Sequence, residues 1–311
     1  MKASKALWVV AVMVFVEGAL ALGDLAIRNR LFERQSARFF EEQPGSLSVS
    51  DLMFSPDSGT LYGIGGQEAP LEGQQDWVGA WDTKSGDLRW QRKVREPVVG
   101  LQVSPSGAVL LTWPEKGTPT LWNASAGVQR GALEMNPARG MANEFYFTPD
   151  EKRIMGCFQE GIQVWSASTG KREAFWPLPK GESGWPGSLQ FSADGTKVLV
   201  GIVGWSSKEP GKFSDSSSVQ LWDTKTGRVL EHYTGNSTVA ALAPTADKMA
   251  VIQYHPEEYT KNAGGLGDTP YSITLWDFKS GRKLESPRLA ANLEPESLEF
   301  GAAGTVFCKG T

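Results

Sequence analysis

Along most of the chain apolar and polar residues alternate in short runs, and each run is cut by a cluster of turn-forming residues. The stretch SVQLWDTKTGRVL, Ser218 to Leu230, shows the form: an alternating run ends in Trp-Asp, Thr-Lys-Thr-Gly reverses the chain, and a second apolar run begins. A period of two puts successive side chains on opposite faces, so these runs predict short antiparallel strands with one face turned inward. The phrase occurs five times: VGAWDTKSGDLRW around Trp81, PTLWNASAGVQRG around Trp122, IQVWSASTGKREAF around Trp165, then around Trp222, and SITLWDFKSGRKLE around Trp276. The Trp spacings are 41, 43, 57 and 54 residues. A second phrase precedes each copy: FSPDSGTLYGIG at Phe54, VSPSGAVLLTW at Val103, FTPDEKRIMGCF at Phe147, FSADGTKVLVGIV at Phe191 and LAPTADKMAVIQY at Leu242. A sixth copy of that second phrase, FGAAGTVFCKGT, starts at Phe300. Periods of this length signal a repeat architecture.

The chemistry of one repeat predicts two hairpins. In FSPDSGT, Ser-Pro-Asp supplies a fixed φ and side-chain hydrogen bonds, and Gly59 supplies a φ above zero. WDTKTG reverses the chain in the same way, so each repeat is four short antiparallel strands. Such a sheet cannot bury both faces alone. The Trp offers a large flat apolar surface for a neighbouring sheet to cover, and radial stacking leaves only short, protected edges. The expected fold is therefore all-β, a β-propeller of about six four-stranded blades, five of them complete repeats and the last a half blade.

The pairs Trp81-Asp82, Trp222-Asp223 and Trp276-Asp277, with their Ser-Pro-Asp turns, resemble WD-repeat propellers, above all the exported bacterial kind that is also similar to the propeller of TolB-type periplasmic proteins. The resemblance covers Ser46 to Thr311. It departs from the pattern in lacking the Gly-His pair that opens many such repeats, and in having Trp-Asn at Trp122 and Trp-Ser at Trp165. The resemblance therefore does not extend to an inner hydrogen-bond network that needs a His in each blade. Six first hairpins against five second hairpins leave the last blade half made: either the ring closes by another route or the chain is a truncated piece. Residues 28–45, the stretch available to complete it from the other terminus, have a helical pattern.

The N-terminal pattern differs. Lys2 and Lys5 precede ALWVVAVMVFV, and the small residues Ala19 and Ala21 follow in A-x-A register. A positive flank, an apolar run and such a site predict an export signal over residues 1–22, either cleaved or kept as an anchor, with the rest of the chain sent across the membrane. Glu17 interrupts a run already short for a spanning helix. Residues 23–45 contain DLAIRNRLFERQSARFFEEQ, where Leu25, Phe32 and Phe39 recur every seven residues, and predict an amphipathic helical linker ended by Pro44-Gly45. Residues 46–311 form the propeller. The expected location is exported: periplasmic or otherwise extracytoplasmic, secreted or held by the N-terminal segment.

Composition adds exclusions. With 35 glycines, 18 prolines and 12 tryptophans the chain suits many tight turns between short strands. A net charge of -4 without a Lys/Arg cluster excludes a nucleic-acid footprint. Cys157 and Cys308 lack metal-site spacing and read as small buried hydrophobes; a disulfide requires that the fold bring their strands together. There is no G-x-S-x-G, Walker loop or H-E-x-x-H, and the two histidines are His232, in a fourth strand, and His255, in an insertion. The stretch Ala80 to Trp90 fits A-x-D-x-x-x-G-x-x-x-W and resembles the tryptophan-docking motif of quinoprotein propellers, but it occurs once. Ser55-x-Asp57-x-Gly59 has the form of a sialidase Asp-box and is explained by turn chemistry.

The long Trp spacings come from insertions between second and third strands, Gly204 to Ser217 and His255 to Pro270, with Gly65 to Asp76 a third. In a propeller these share one rim with the fourth-to-first-strand loops such as Pro177 to Gly187. Loops on a rigid scaffold are where binding resides. The candidate binding residues are Trp77, Trp113, Trp185, Trp205, His255 and Tyr259. The reading is a non-enzymatic exported scaffold for a protein or envelope partner, with no cofactor and with membrane contact only through an N-terminal anchor. A propeller enzyme or quinone-dependent dehydrogenase and a small-ligand sensor stand as the alternatives.

Overall fold

The computed structural model describes residues 47–67, 76–140, 142, 144–180, 184–209, 212–215, 218–234, 239–254, 271–278, 280, 282–288, 295–301 and 305–310. The expected export signal and helical linker, residues 1–45, lie outside them. The described chain falls into two compact units: one holds the residues up to Pro137 together with Ser166–Arg172, the other Ala138–Trp165 and Glu173 onward.

In the first unit, β1 (Leu47–Phe54), β2 (Thr60–Gln67), β3 (Trp77–Asp82) and β4 (Leu88–Lys93) form one antiparallel sheet in chain order. Strands β5 (Val98–Val103), β6 (Val109–Pro114), β7 (Thr120–Asn123) and β8 (Val128–Ala132) form the second. Their facing sides share one core, with Tyr62, Ile64, Val78 and Ala80 on the first sheet and Leu101, Val103, Leu110 and Trp122 on the second. Neither sheet buries both faces alone, as the strand pattern demands.

A third sheet orders β9 (Phe145–Phe147), β10 (Arg153–Phe158), β11 (Gly161–Ser166) and β12 (Arg172–Pro177). In the second unit, β13 (Gly184–Phe191), β14 (Lys197–Glu209), β16 (Ser218–Asp223) and β17 (Val229–Thr234) make the fourth sheet, and β15 (Lys212–Asp215) pairs with β14. The fifth holds β18 (Ala240–Leu242), β19 (Lys248–Tyr254), β20 (Tyr271–Asp277) and β21 (Arg282–Arg288), and β22 (Pro295–Phe300) pairs with β23 (Val306–Gly310) in a two-stranded sixth. Successive sheets pack through Met155, Ile162, Val200 and Trp222, then Leu199, Leu221, Leu242 and Val251, then Ala250, Ile252 and Leu298. The described half-built sixth sheet matches the half blade expected from the repeat count.

The first strands are also tied to one another. Met53 Sδ accepts the Val103 N–H at 3.3 Å, Gln190 Oε1 accepts the Leu242 N–H at 2.7 Å, and the Tyr146 hydroxyl accepts from the Leu189 N–H. Each of these side chains stands two residues before the Ser or Thr that opens the following turn, Ser55, Thr148 or Ser192. The three serve as a sheet-to-sheet latch without any histidine.

Within the first turn, one expectation is corrected. The residue with positive φ is not Gly59 but Ser58, at 56°, and the equivalent places hold Gly107, Glu151, Gly195 and Ala246. Ser55 Oγ and Asp57 Oδ1 hold the turn through Thr60 N–H (2.9 Å) and Gly59 N–H (3.0 Å), which forces position 58 into the left-handed region whatever its side chain. A non-glycine residue there costs about 1 kcal/mol. Glu151→Gly is therefore expected to raise the unfolding free energy by about 1 kcal/mol and Gly195→Ala to lower it by about as much, read from urea midpoints.

Candidate functional site

The two repeated phrases set the two kinds of turn and thereby the rims. In the Trp-Asp phrase the Asp caps its own turn: Asp82 Oδ1 accepts the Lys84 and Ser85 N–H groups, both at 2.9 Å, and Asp223 Oδ1 accepts Lys225 and Thr226 N–H at 3.1 and 2.7 Å. Asn123 does the same for Ala126 N–H (2.9 Å) and Ser166 Oγ for Thr169 N–H (3.3 Å), which explains why Trp-Asn and Trp-Ser replace Trp-Asp without loss of the turn. Thr83 Oγ1 donates to Ser58 O at 2.7 Å and Thr224 Oγ1 to Gly195 O at 2.6 Å, so both turns of a sheet lie on one rim. The connections between second and third strands leave from the opposite rim.

The turn carboxylates are held ionised by their hydrogen bonds. The Arg89 guanidinium, then the Ser85 and Lys84 N–H groups, keep Asp82 far below the usual carboxylate range. The Ser55 hydroxyl lowers Asp57, Thr196 N–H lowers Asp194, and the Thr226 hydroxyl lowers Asp223. A lowered native value means a contribution present above the unfolded value and lost as pH falls through the native one. Stability is expected to be full at neutral pH and to decline below about pH 4, near the unfolded carboxylate value. Burial raises Asp51, which acts with the opposite sign. Urea midpoints across this range test it: Asp223→Asn should flatten the acid limb slightly, and an unchanged limb in a variant lacking Asp57, Asp82, Asp194 and Asp223 would refute the assignment.

Trp90 completes the A-x-D-x-x-x-G-x-x-x-W stretch and does dock. It is 6% exposed, its Nε1 donates to Ala124 O at 2.9 Å, and its ring covers Gly127 in the turn of the second sheet. A second tryptophan does the same where the sequence spacing hid it. Trp176, six residues after Gly170 rather than four, lies over Gly227 in the turn of the fourth sheet. Accepting two extra residues after the turn Gly would have revealed it. Both indoles are occupied by protein packing. His232 stands exposed on β17, paired across the sheet with Gln220. Cys157 is buried and Cys308 half-buried, and both are free thiols. Burial pushes Cys157 well above the ordinary thiol value, so it packs as a small hydrophobe. No group of His, Cys, Asp and Glu among the described residues is arranged to hold a metal.

The candidate rim residues separate. Trp77 and Trp113 were expected to be exposed and are buried, at 4% and 5%. Glycines are the reason: Trp113 pairs with Gly100 and its ring fills the space a Cβ would take, while Trp77 lies above Gly63 and meets Trp81 edge-on, centroids 5.5 Å apart. Trp185 does not sit in a Pro177 to Gly187 loop. It lies half-buried in β13 and pairs with Val203, which is 40% exposed. Gly204 to Ser217 is likewise not an irregular insertion, because β14 runs on to Glu209 and returns as β15, with Trp205 opposite Asp215. The side chain of Trp205 lies outside the described set, as do His255 and Tyr259 altogether. Among the candidate residues, Trp185 is the one whose described side chain is not fully buried, and with Val203 it stands at the root of a two-stranded arm. Val203 was missed because an alternating strand pattern does not reveal where its sheet stops being covered.

No family model matches the chain. Solved structures do: a WD40 propeller in the structure titled "Crystal Structure of Mitotic Checkpoint Complex" superposes with a TM-score of 0.57 at 13% identity, over 87% of this chain and 77% of that one. The fold is that of a WD-repeat-like β-propeller. Altogether 1307 chains of solved structures resemble it, so the propeller fold is too widely shared to assign a function, which must be argued from particular sites. The described sheets are its blades, and the β14–β15 arm is an outgrowth of the fourth blade.

Proposed function

We propose that the chain is a non-enzymatic, exported scaffold that presents its insertion-bearing rim to a protein or envelope partner. The observation that carries this reading is the arm of the fourth blade, a hairpin continuing β14 beyond β13, with an exposed apolar residue, Val203, beside half-buried Trp185 at its root. Aromatic anchors supply much contact area at little entropic cost, and truncating a true anchor weakens binding by about 2 kcal/mol or more. The export reading rests on the charged and apolar pattern of residues 1–22.

The test is cross-linking capture from the native envelope fraction with Trp185→Ala and Trp205→Ala. Capture is expected to fall with the melting temperature unchanged. Variants that melt several degrees lower and still capture normally would make these packing residues and sink the rim reading. An activity screen with and without pyrroloquinoline quinone addresses the enzyme alternative, and turnover abolished by Asp82→Asn would overturn the scaffold. Full-length protein in the cytosol, shielded from external protease, would overturn export.

A further inference from the structure

We infer that the outer wall of the first unit takes an acidic, extended segment of a partner protein along the open edge of β4. The Lys93–Arg95 end of this surface adjoins the root of the connection between β2 and β3, where Lys93 pairs with Trp77 and the Val94 N–H donates to Asp76 O at 2.8 Å, and the surface runs along β4 toward Leu88 and the Trp-Asp turn. Strand β4 ends its sheet, so among the described residues one row of its backbone N–H and C=O groups has no strand beside it. An open edge accepts whatever strand reaches it unless charge decides otherwise.

Here charge decides. Lys93 and Arg95 stand exposed on β4 and just beyond it, and Arg130 stands exposed on β8. Among the described residues none of the three side chains has a hydrogen bond or ion pair. Other cations of the wall are engaged: Arg89 pairs with Asp82 at 2.6 Å and Arg172 with Glu134 at 2.9 Å. Arg92 directs Nε to Gly127 O at 2.9 Å, Nη2 to Ala126 O at 3.1 Å and Nη1 to Gln91 O of β4 at 2.8 Å, which joins β4 to the turn between β7 and β8. Exposed Asp87 and Glu96 oppose this charge only in part. The strip is thus basic in a chain whose net charge is -4. It also carries apolar contact area, Leu88 at 46% and Val128 at 56% exposure.

The same cations repel the β4 edge of a second copy and favour a strand of opposite charge, so one arrangement both discourages self-pairing and selects a partner. An acidic segment with alternating apolar residues matches both properties of the strip.

The test is fluorescence anisotropy of the 311-residue chain with a labelled peptide alternating glutamate and valine. Binding is expected, to weaken as salt is added, and to be absent for the lysine-valine counterpart. The variant K93E/R95E/R130E should lose affinity about tenfold or more, since charge complementarity carries the contact. K152E/K180E/K225E, the same charge change placed on exposed lysines of the second unit, should bind normally; equal loss in both variants would reduce the effect to net charge and overturn the proposal. A proline-interrupted peptide that binds as well as the uninterrupted one would rule out strand addition. Sedimentation with phosphatidylglycerol vesicles, abolished by K93E/R95E/R130E while no peptide binds, would make the wall a membrane surface and overturn the proposal also. Trp185→Ala should leave peptide binding intact, whatever becomes of the rim.

Discussion

Trp176→Ala and Trp90→Ala are each expected to lower the unfolding free energy by about 3–5 kcal/mol, the range for deleting a large buried aromatic side chain. Both rings are 6% exposed, and each lies over a glycine in the turn of the next blade, Trp90 over Gly127 and Trp176 over Gly227. Deleting either opens a cavity between blades, where neither sheet can shift without breaking its own ladder. The glycines test the same contact from the other side. Gly127 and Gly227 have φ of 61° and 69°, and a Cβ at either would run into the indole, so Gly127→Ala and Gly227→Ala combine backbone strain with a clash. Urea denaturation of the four variants gives the result, with melting temperatures lower by roughly 10 °C for the tryptophan variants. A loss below about 1 kcal/mol at Trp176, with the full loss at Trp90, would mean that only the residue in the recognisable motif docks.

Trp222→Ala should cost as much or more. Its ring is fully buried, packs 6.3 Å from Trp176, and donates from Nε1 to Gln220 Oε1 at 2.9 Å. Alanine removes the packing and deprives a buried amide oxygen of its donor, a polar loss of about 1–3 kcal/mol on top of the cavity. Trp222→Phe separates the two contributions, because it keeps most of the ring and loses the donor. Combined with Gln220→Leu, Trp222→Phe should be less damaging than the two single costs predict. Additive losses would show that the hydrogen bond contributes nothing. Trp176 and Trp222 touch, so their alanine variants should also be non-additive.

Much of the fold was legible because each repeat solves a local problem with local residues. The alternation of VQLW and ITLW set strand faces, and Ser-Pro-Asp and Trp-Asp set turns through side chains that reach backbone groups only two or three residues away. Asn123 and Ser166 could be read as variants of one position for the same reason. The position of positive φ was misplaced by one residue in FSPDSGT, since it depends on which N–H groups Asp57 and Ser55 capture and not on where a glycine happens to stand.

The candidate site was far less legible. Exposure of an aromatic depends on what lies across the sheet, and Gly100 opposite Trp113 or Gly63 below Trp77 is a matter of register that the sequence pattern does not state. A spacing of six after Gly170 hid the docking of Trp176, and a stretch rich in serine concealed a hairpin arm. By itself the sequence determined the repeat, the turns and the all-β propeller, because these rest on contacts a few residues apart. Only the tertiary structure decided which tryptophans are packing and which stand at the rim, which first-strand side chains latch neighbouring blades, and which cations of the outer wall have no side-chain partner among the described residues. Those depend on residues brought together from different repeats, where sequence distance carries no information about distance in space.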